Sequence, residues 1–251
     1  SICTFYITVT DQANVECAGN IFVCEGTASI DLTNFVSPDG GEFYHNGILV
    51  NSNYSLANYV PLIDIKFIYY FPKRGVDCTD SCTLTLKILP KPVMNLRDTI
   101  WPDNLPLVVT NNTVVYANNY EWTTEGDGTF TNPSVLHPTY NQGTADFQDG
   151  KVVLHLIAKN ESCESKGSMV AYIAQKLDFP KGWGGVSLYR TPIDDNLENI
   201  VEPIRSDLNI IFNLKGDEYI PLKSVFTTWD DQSGYIANCT NGSSVNVAGS
   251  Y

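Results

Sequence analysis

Basic side chains are scarce in this chain: 15 Lys and Arg stand against 28 Asp and Glu, for a formal charge of −13. A nucleic-acid surface needs basic patches facing phosphate, so that class of partner is excluded. Long apolar runs are also missing. None approaches the roughly 20 residues that cross a bilayer as a helix, so direct membrane insertion is not expected. Histidine is rare, with His45, His137 and His155 scattered and without metal-ligand spacing. No nucleophile, base and oxyanion donor group together, and an enzyme is not expected. Finally, there is neither an initiator Met nor a signal-peptide run, so Ser1 reads as a processed end or a cut inside something longer.

What is present points to export. The 251 residues suffice for two or three small domains, and seven cysteines with 14 tyrosines suit an extracellular protein whose thiols are oxidised. Cys78 and Cys82 alone are spaced like a metal knuckle, but no second pair or suitable His lies near them, so disulfides account better for the cysteines. The runs "ASIDLTNFV", "DIKFIYYF" and "CTLTLKIL" alternate like strands between turn-forming segments, and "KVVLHLIAK" and "GSMVAYIAQ" repeat the style further on. "LPKPV" reads as a stiff linker and "LHPTYNQGTADFQDG" as a loop. After Leu177, Asp194 and Asp195 precede Leu197, Ile200, Val201 and Ile204 at helical spacing, which predicts one short amphipathic helix.

The resulting expectation is an all-β chain of tandem immunoglobulin-like β-sandwich modules followed by a small β-rich unit with one short helix. Residues 1–12 would be the terminal strand of an upstream module, 13–90 and 91–176 the two sandwiches, and 177–251 a truncated C-terminal unit. "SICTFYITV" and "SCTLTLKI" share Cys-Thr followed by alternating apolar residues, which makes Cys3 and Cys82 equivalent positions in successive modules. In that register Cys17 pairs with Cys82 and Cys24 with Cys78, while Cys3 lacks its natural partner. A short Cys3 to Cys17 bond is the alternative.

Residues 120–173 resemble the PKD-like, immunoglobulin-like repeats of large surface and gliding-associated proteins secreted by Bacteroidetes. The likeness rests on Trp122, Thr123, Gly126, Gly128, Phe130, Pro138, Thr139, Tyr140, Asp146, Gly150 and Cys163. Residues 14–88 are similar to related modules, including the hyalin-repeat type. Residues 180–236 are similar to a module found near the C-termini of the same proteins, through Gly182, Trp183, Leu197, Glu198, Ile200, Tyr219, Pro221, Trp229, Gly234 and Tyr235. That module normally continues into a second half that is absent here. The resemblance implies a core role for Trp122, Trp183 and Trp229; no cofactor is expected. The family's Cys near the module start is replaced by Trp101, which leaves Cys163 either a free thiol or bonded to Cys239.

Several residues remain as candidate sites. Asp127, Asp194 and Asp195 are the oxygen-rich positions that a Ca²⁺ ion would use, although a hairpin turn and a helix cap explain them without a metal. Trp101, before Pro102, is the plausible exposed aromatic for stacking on a sugar. Asp98-Thr99-Ile100 resembles the O-glycosylation signal of exported Bacteroidetes proteins, with Thr99 as the acceptor. Together these readings describe a structural or adhesive segment of an extracellular, cell-surface protein. Its partners would be neighbouring modules, other copies or surface glycans. A carbohydrate-binding accessory region of a hydrolase, or a filament subunit assembling by strand donation from residues 1–11, are the alternatives.

Overall fold

The computed structural model describes residues 14–72, 74, 78–103, 105–223, 227–230 and 233–251. The expectations placed on residues 1–12, Cys3 included, lie outside the described residues. The chain is all-β, built as tandem β-sandwich modules, and divides into two compact units. The first comprises residues up to Val93 with Tyr116–Asn118 and Lys159–Ser165, and the second Met94–Val115, Asn119–Ala158 and Lys166–Tyr251.

In the first unit the strands are β1 (Glu16–Cys17), β2 (Asn20–Cys24), β3 (Ser29–Asp31), β4 (Val36–Ser37), β5 (Glu42–His45), β6 (Ile48–Val50), β7 (Asn53–Ser55), β8 (Asp64–Phe71) and β9 (Asp80–Leu89). A five-stranded sheet runs in the order β2-β9-β8-β5-β6, with β2 parallel to β9 and the rest antiparallel. Strict alternation along β8 buries Ile65, Phe67 and Tyr69 while Asp64, Lys66 and Ile68 face out, as a half-buried strand requires. The pairs β3-β7 and β1-β4 close the other side, where Cys17, Ile30, Val36 and Tyr54 pack on the same core. The run "ASIDLTNFV" is not one strand. Asp31 accepts a hydrogen bond from the Thr33 amide and starts a 3-10 turn over Leu32–Phe35 between β3 and β4.

The second unit contains β10 (Val93–Asn95, from its second residue on), β11 (Thr99–Pro102), β12 (Leu107–Val108), β13 (Thr113–Val115), β14 (Asn119–Thr124), β15 (Thr129–Phe130), β16 (Thr139–Asn141), helix α1 (Thr144–Asp149), β17 (Lys151–Lys159) and β18 (Glu164–Phe179). They are followed by β19 (Gly182–Val186), β20 (Thr191–Pro192), helix α2 (Leu197–Ile200), β21 (Leu208–Asn213), β22 (Glu218–Tyr219), β23 (Tyr235–Cys239) and β24 (Ser243–Ser250). The main sheet runs β14-β17-β18-β24-β20, with β11 parallel to β18; β12-β16-β15 and β19-β23-β21-β22 are separate sheets.

Two departures from the sequence reading are instructive. The boundary expected at 176/177 falls inside β18, whose 16 residues run without a break. Met169, Ala171 and Ile173 of this strand enter the core around Trp101 and Trp122, whereas Leu177 and Phe179 enter the C-terminal core around Trp229. One strand therefore seeds two cores. The second departure is α1, which lies in the stretch read as a loop. The predicted helix after Asp195 does form, as α2 followed by a 3-10 turn at Glu202–Ile204, and buries Leu197, Ile200, Val201 and Ile204.

Candidate functional site

Trp122, Gly126, Phe130, Tyr140 and Asp146, among the residues that carry the PKD-like resemblance, form one structural knot. Trp122, Phe130 and Tyr140 pack in series, with ring centroids 5.9 and 4.9 Å apart. The Tyr140 hydroxyl donates to buried Asp146 at 2.6 Å, and the Gly143 amide donates to the same carboxylate oxygen at 3.0 Å. Gly126 is required by this carboxylate, because a Cβ there would sit 1.7 Å from Asp146 Oδ1. Asp127 reaches across to cap α1, accepting from the Ala145 and Asp146 amides at 3.1 and 3.2 Å. Those amide bonds, that from Ala145 first, hold the Asp127 carboxyl below its usual range.

The cysteines form a covalent frame in the first unit. Cys17 is joined to Cys82, with Cα atoms 5.8 Å apart, and Cys24 is joined to Cys163, with Cα atoms 5.0 Å apart. The second bond corrects the expected Cys24 to Cys78 pairing and both alternatives weighed for Cys163, a free thiol and a bond to Cys239. Its physical reason is Asn160. That side chain donates to the Pro90 and Tyr116 carbonyls, each at 2.9 Å, and accepts from the Ser162 and Cys163 amides at 3.2 and 2.8 Å. All four hydrogen-bonding positions of the amide are used, and they fold the connection between β17 and β18 so that Cys163 meets the end of β2. Cys78 is exposed, just ahead of β9. Cys239 forms no bridge, is buried in the C-terminal core, and has its thiol pushed up by that burial and then by Asp207.

Arg190 was not singled out by the sequence, yet it is fully buried. Its Nε donates to Asp103 Oδ2 at 3.1 Å, Nη1 donates to the Phe147 and Gly249 carbonyls at 2.9 Å each, and the guanidinium lies 4.1 Å from the Phe147 ring centroid. The Tyr189 hydroxyl donates to the same Asp103 carboxylate. A buried charge is tolerated only when paired and hydrogen-bonded in this way. Gln175 adds a neutral counterpart, donating to the Ser187 carbonyl at 3.0 Å and accepting from the Tyr189 amide at 2.8 Å. These contacts tie the C-terminal part of the second unit to β11, α1 and β18.

Two expectations about tryptophan are reversed. Trp101 is only 4% exposed, because β11 lies against β18 and turns the indole into the core, where its Nε1 donates to the Leu105 carbonyl. It is unavailable to a sugar. Trp183, expected in a core, is 61% exposed on β19 and stacks on Phe212 of β21, with centroids 6.1 Å apart and planes 23° apart. The register explains this. Trp183 lies opposite Asn238 and Gly185 opposite Ile236, whereas Gly184 and Val186 lie opposite buried Ala237 and Tyr235. Trp183, Ile236, Asn238 and Phe212 therefore share the outer face, beside Asn209, which donates to Asn238 at 2.7 Å. Trp229 is buried as expected.

The other candidates are dispersed. Asp194 accepts from the Asn196 amide and the Asn199 side chain at 3.0 and 2.9 Å, and these bonds, that from Asn199 first, lower its pKa. Asp195 accepts through its main-chain carbonyl from the Trp229 amide. The carboxylates of Asp127 and Asp194 are thus already engaged by protein donors, and among the described residues no three His, Cys, Asp or Glu side chains gather as metal ligands. Asp194 and Asn199 edge an apolar cleft of about 370 Å³ formed by Ile100, Tyr172, Ile193 and Ile200. Thr99, the expected glycosylation acceptor, lies in a strand. It is half-buried in β11, and neighbouring Asp98 accepts from the Val170 amide at 2.7 Å. His45, His137 and His155 bond separately to the Lys66 carbonyl, the Val109 carbonyl and Glu125.

No protein-family model and no curated protein matches the chain. Among solved structures it is similar to a fragment of Sidekick-1 immunoglobulin domains 1–5, at 10% identity and a TM-score of 0.39, over 92% of this chain and 57% of that one. A second Sidekick-1 fragment, domains 1–4, aligns at 12% identity and a TM-score of 0.37, covering 66% of this chain and half (50%) of its own. A three-domain fragment of titin aligns at 11% identity and a TM-score of 0.36, over 95% of this chain and 88% of that one. Among the described residues, no helix is long and apolar enough to cross a membrane.

Proposed function

We propose that the chain is a load-bearing, adhesive-type segment of a large extracellular surface protein, of the multi-modular bacterial kind that its motifs resemble. The observation that carries the reading is β18, a strand that enters two cores and is paired with β17, β24 and β11. A strand held on both sides yields only when many hydrogen bonds break, and the shared cores couple the parts it joins. The disulfides suit an oxidising exterior. Tethering the chain by its two ends and pulling tests the reading: the second unit is expected to stay folded until a single, high-force event. Stepwise unravelling at the lowest loads would overturn it.

The exposed Trp183 favours a second reading, in which the outer face of β19, β23 and β21 binds a sugar. Trp183 and Phe212 offer near-parallel apolar ring faces, and the amides of Asn209 and Asn238 lie beside them to pair with hydroxyls. On a glycan array, saturable binding lost on Trp183→Ala, with the melting temperature unchanged, would establish this site. Absence of binding by the parent chain would reject it.

A further inference from the structure

The bridge between Cys24 and Cys163 closes a loop with a sequence separation of 139. A segment whose two ends are covalently joined cannot be lengthened by a load applied outside them. We propose that this disulfide is a force shunt: tension entering ahead of Cys17 passes along the short stretch to Cys24, crosses the sulfurs to Cys163 and leaves through β18. Residues 25–162 hold β3 to β9 of the first sandwich and β11 to β17 of the second, and the shunt removes them from the extensible path. The inference rests on the load-bearing reading and specifies its route.

Three features fit this role. Cys163 is only 3% exposed, so a reductant has poor access to the bond that carries the load. Asn160, with all four of its hydrogen-bonding positions engaged, fixes the loop that presents Cys163. The strand that follows, β18, is flanked by β17, β11 and β24 and anchored in two cores, which makes it the best-held exit on offer. The Cys17 to Cys82 bond lies differently. Cys82 sits inside the closed loop, so this bond does not shorten the loaded path while Cys24 and Cys163 remain joined.

That nesting gives a quantitative test on the whole chain, pulled from handles at its two ends. The oxidised chain is expected to extend to a full length ~45–50 nm shorter than the chain reduced beforehand, at roughly 3.3–3.6 Å per residue. Cys163→Ala should lengthen the oxidised chain by only ~25 nm, because the Cys17 to Cys82 bond then shortens the path in its place. Replacing Cys17 and Cys82 by Ser should change nothing. An oxidised parent chain that reaches the reduced length overturns the shunt, and this comparison needs no variant to fold. So does a lengthening on loss of Cys17 and Cys82 equal to that of Cys163→Ala. The force of the first event, read from the same traces, reports separately on the load-bearing reading.

Discussion

At the scale of the residue, the side chains that matter most were the least legible. Trp183 is flanked by Gly182, Gly184 and Gly185, so β19 has no apolar alternation from which to read its face. Which side a residue occupies depends on register, and a shift of one position exchanges core and solvent. Trp101 is obscured for the complementary reason: "DTIWPDN" looks like a loop until β18 supplies a parallel partner. Arg190 stands beside Tyr189 in a run without an acidic neighbour, and its partner Asp103 lies 87 positions away. Replacing Arg190 by Met should cost about 3–5 kcal/mol, because Asp103 is left without its counter-charge. Lys should not restore it, since it lacks the fork that reaches Asp103 and two carbonyls together. Urea unfolding followed by tryptophan fluorescence reads both variants, and a loss below about 1 kcal/mol in Arg190→Met would contradict the clamp.

Tyrosine sets the alkaline limit. Burial, followed by the Tyr59 hydroxyl at 2.6 Å, raises the Tyr54 phenol to about 12. Burial likewise raises Tyr69, Tyr140 and Tyr219. A raised folded value means that the fold favours the neutral phenol. The stabilisation is complete below the unfolded value near 10 and is lost as pH rises through about 12. The phenolate absorbance of these buried tyrosines should therefore appear only together with the loss of circular dichroism, as pH rises through about 12. Ionisation of these tyrosines near pH 10 with the fold intact would contradict their burial.

At the scale of the element, the strands were legible because their alternation is local, and the amphipathic helix because its spacing is. Helix α1 was hidden because it is only six residues long and part of its capping is not local: Asp127 accepts from the Ala145 amide across 18 positions. The extent of β18 was hidden too, since a break in texture near Leu177 marks a change of core rather than the end of a strand. The shared strand carries its own prediction. Trp101 and Trp122 report on one core and Trp229 on the other. In thermal unfolding of single-reporter variants, made by replacing the other tryptophans with Phe, the two cores should melt in one coincident transition. Two transitions separated by more than a few degrees would show that β18 does not couple them. Gly126→Ala should lower that transition markedly, because its methyl would collide with Asp146.

At the scale of the whole molecule, an all-β chain of sandwich modules with oxidised cysteines follows from composition, alternation and the repeated Cys-Thr sequence. The covalent frame does not follow so directly, because connectivity depends on which loop the fold brings to the end of β2. Asn160 decides that by folding the loop around Cys163, and nothing in the spacing of seven cysteines announces it. The frame turns a string of modules into a chain whose middle is excluded from the loaded path. Peptide mapping of the folded, unreduced chain tests this most directly. The account predicts one cross-linked pair of peptides carrying Cys24 and Cys163 and another carrying Cys17 and Cys82; a peptide pair joining Cys24 to Cys78 would contradict it.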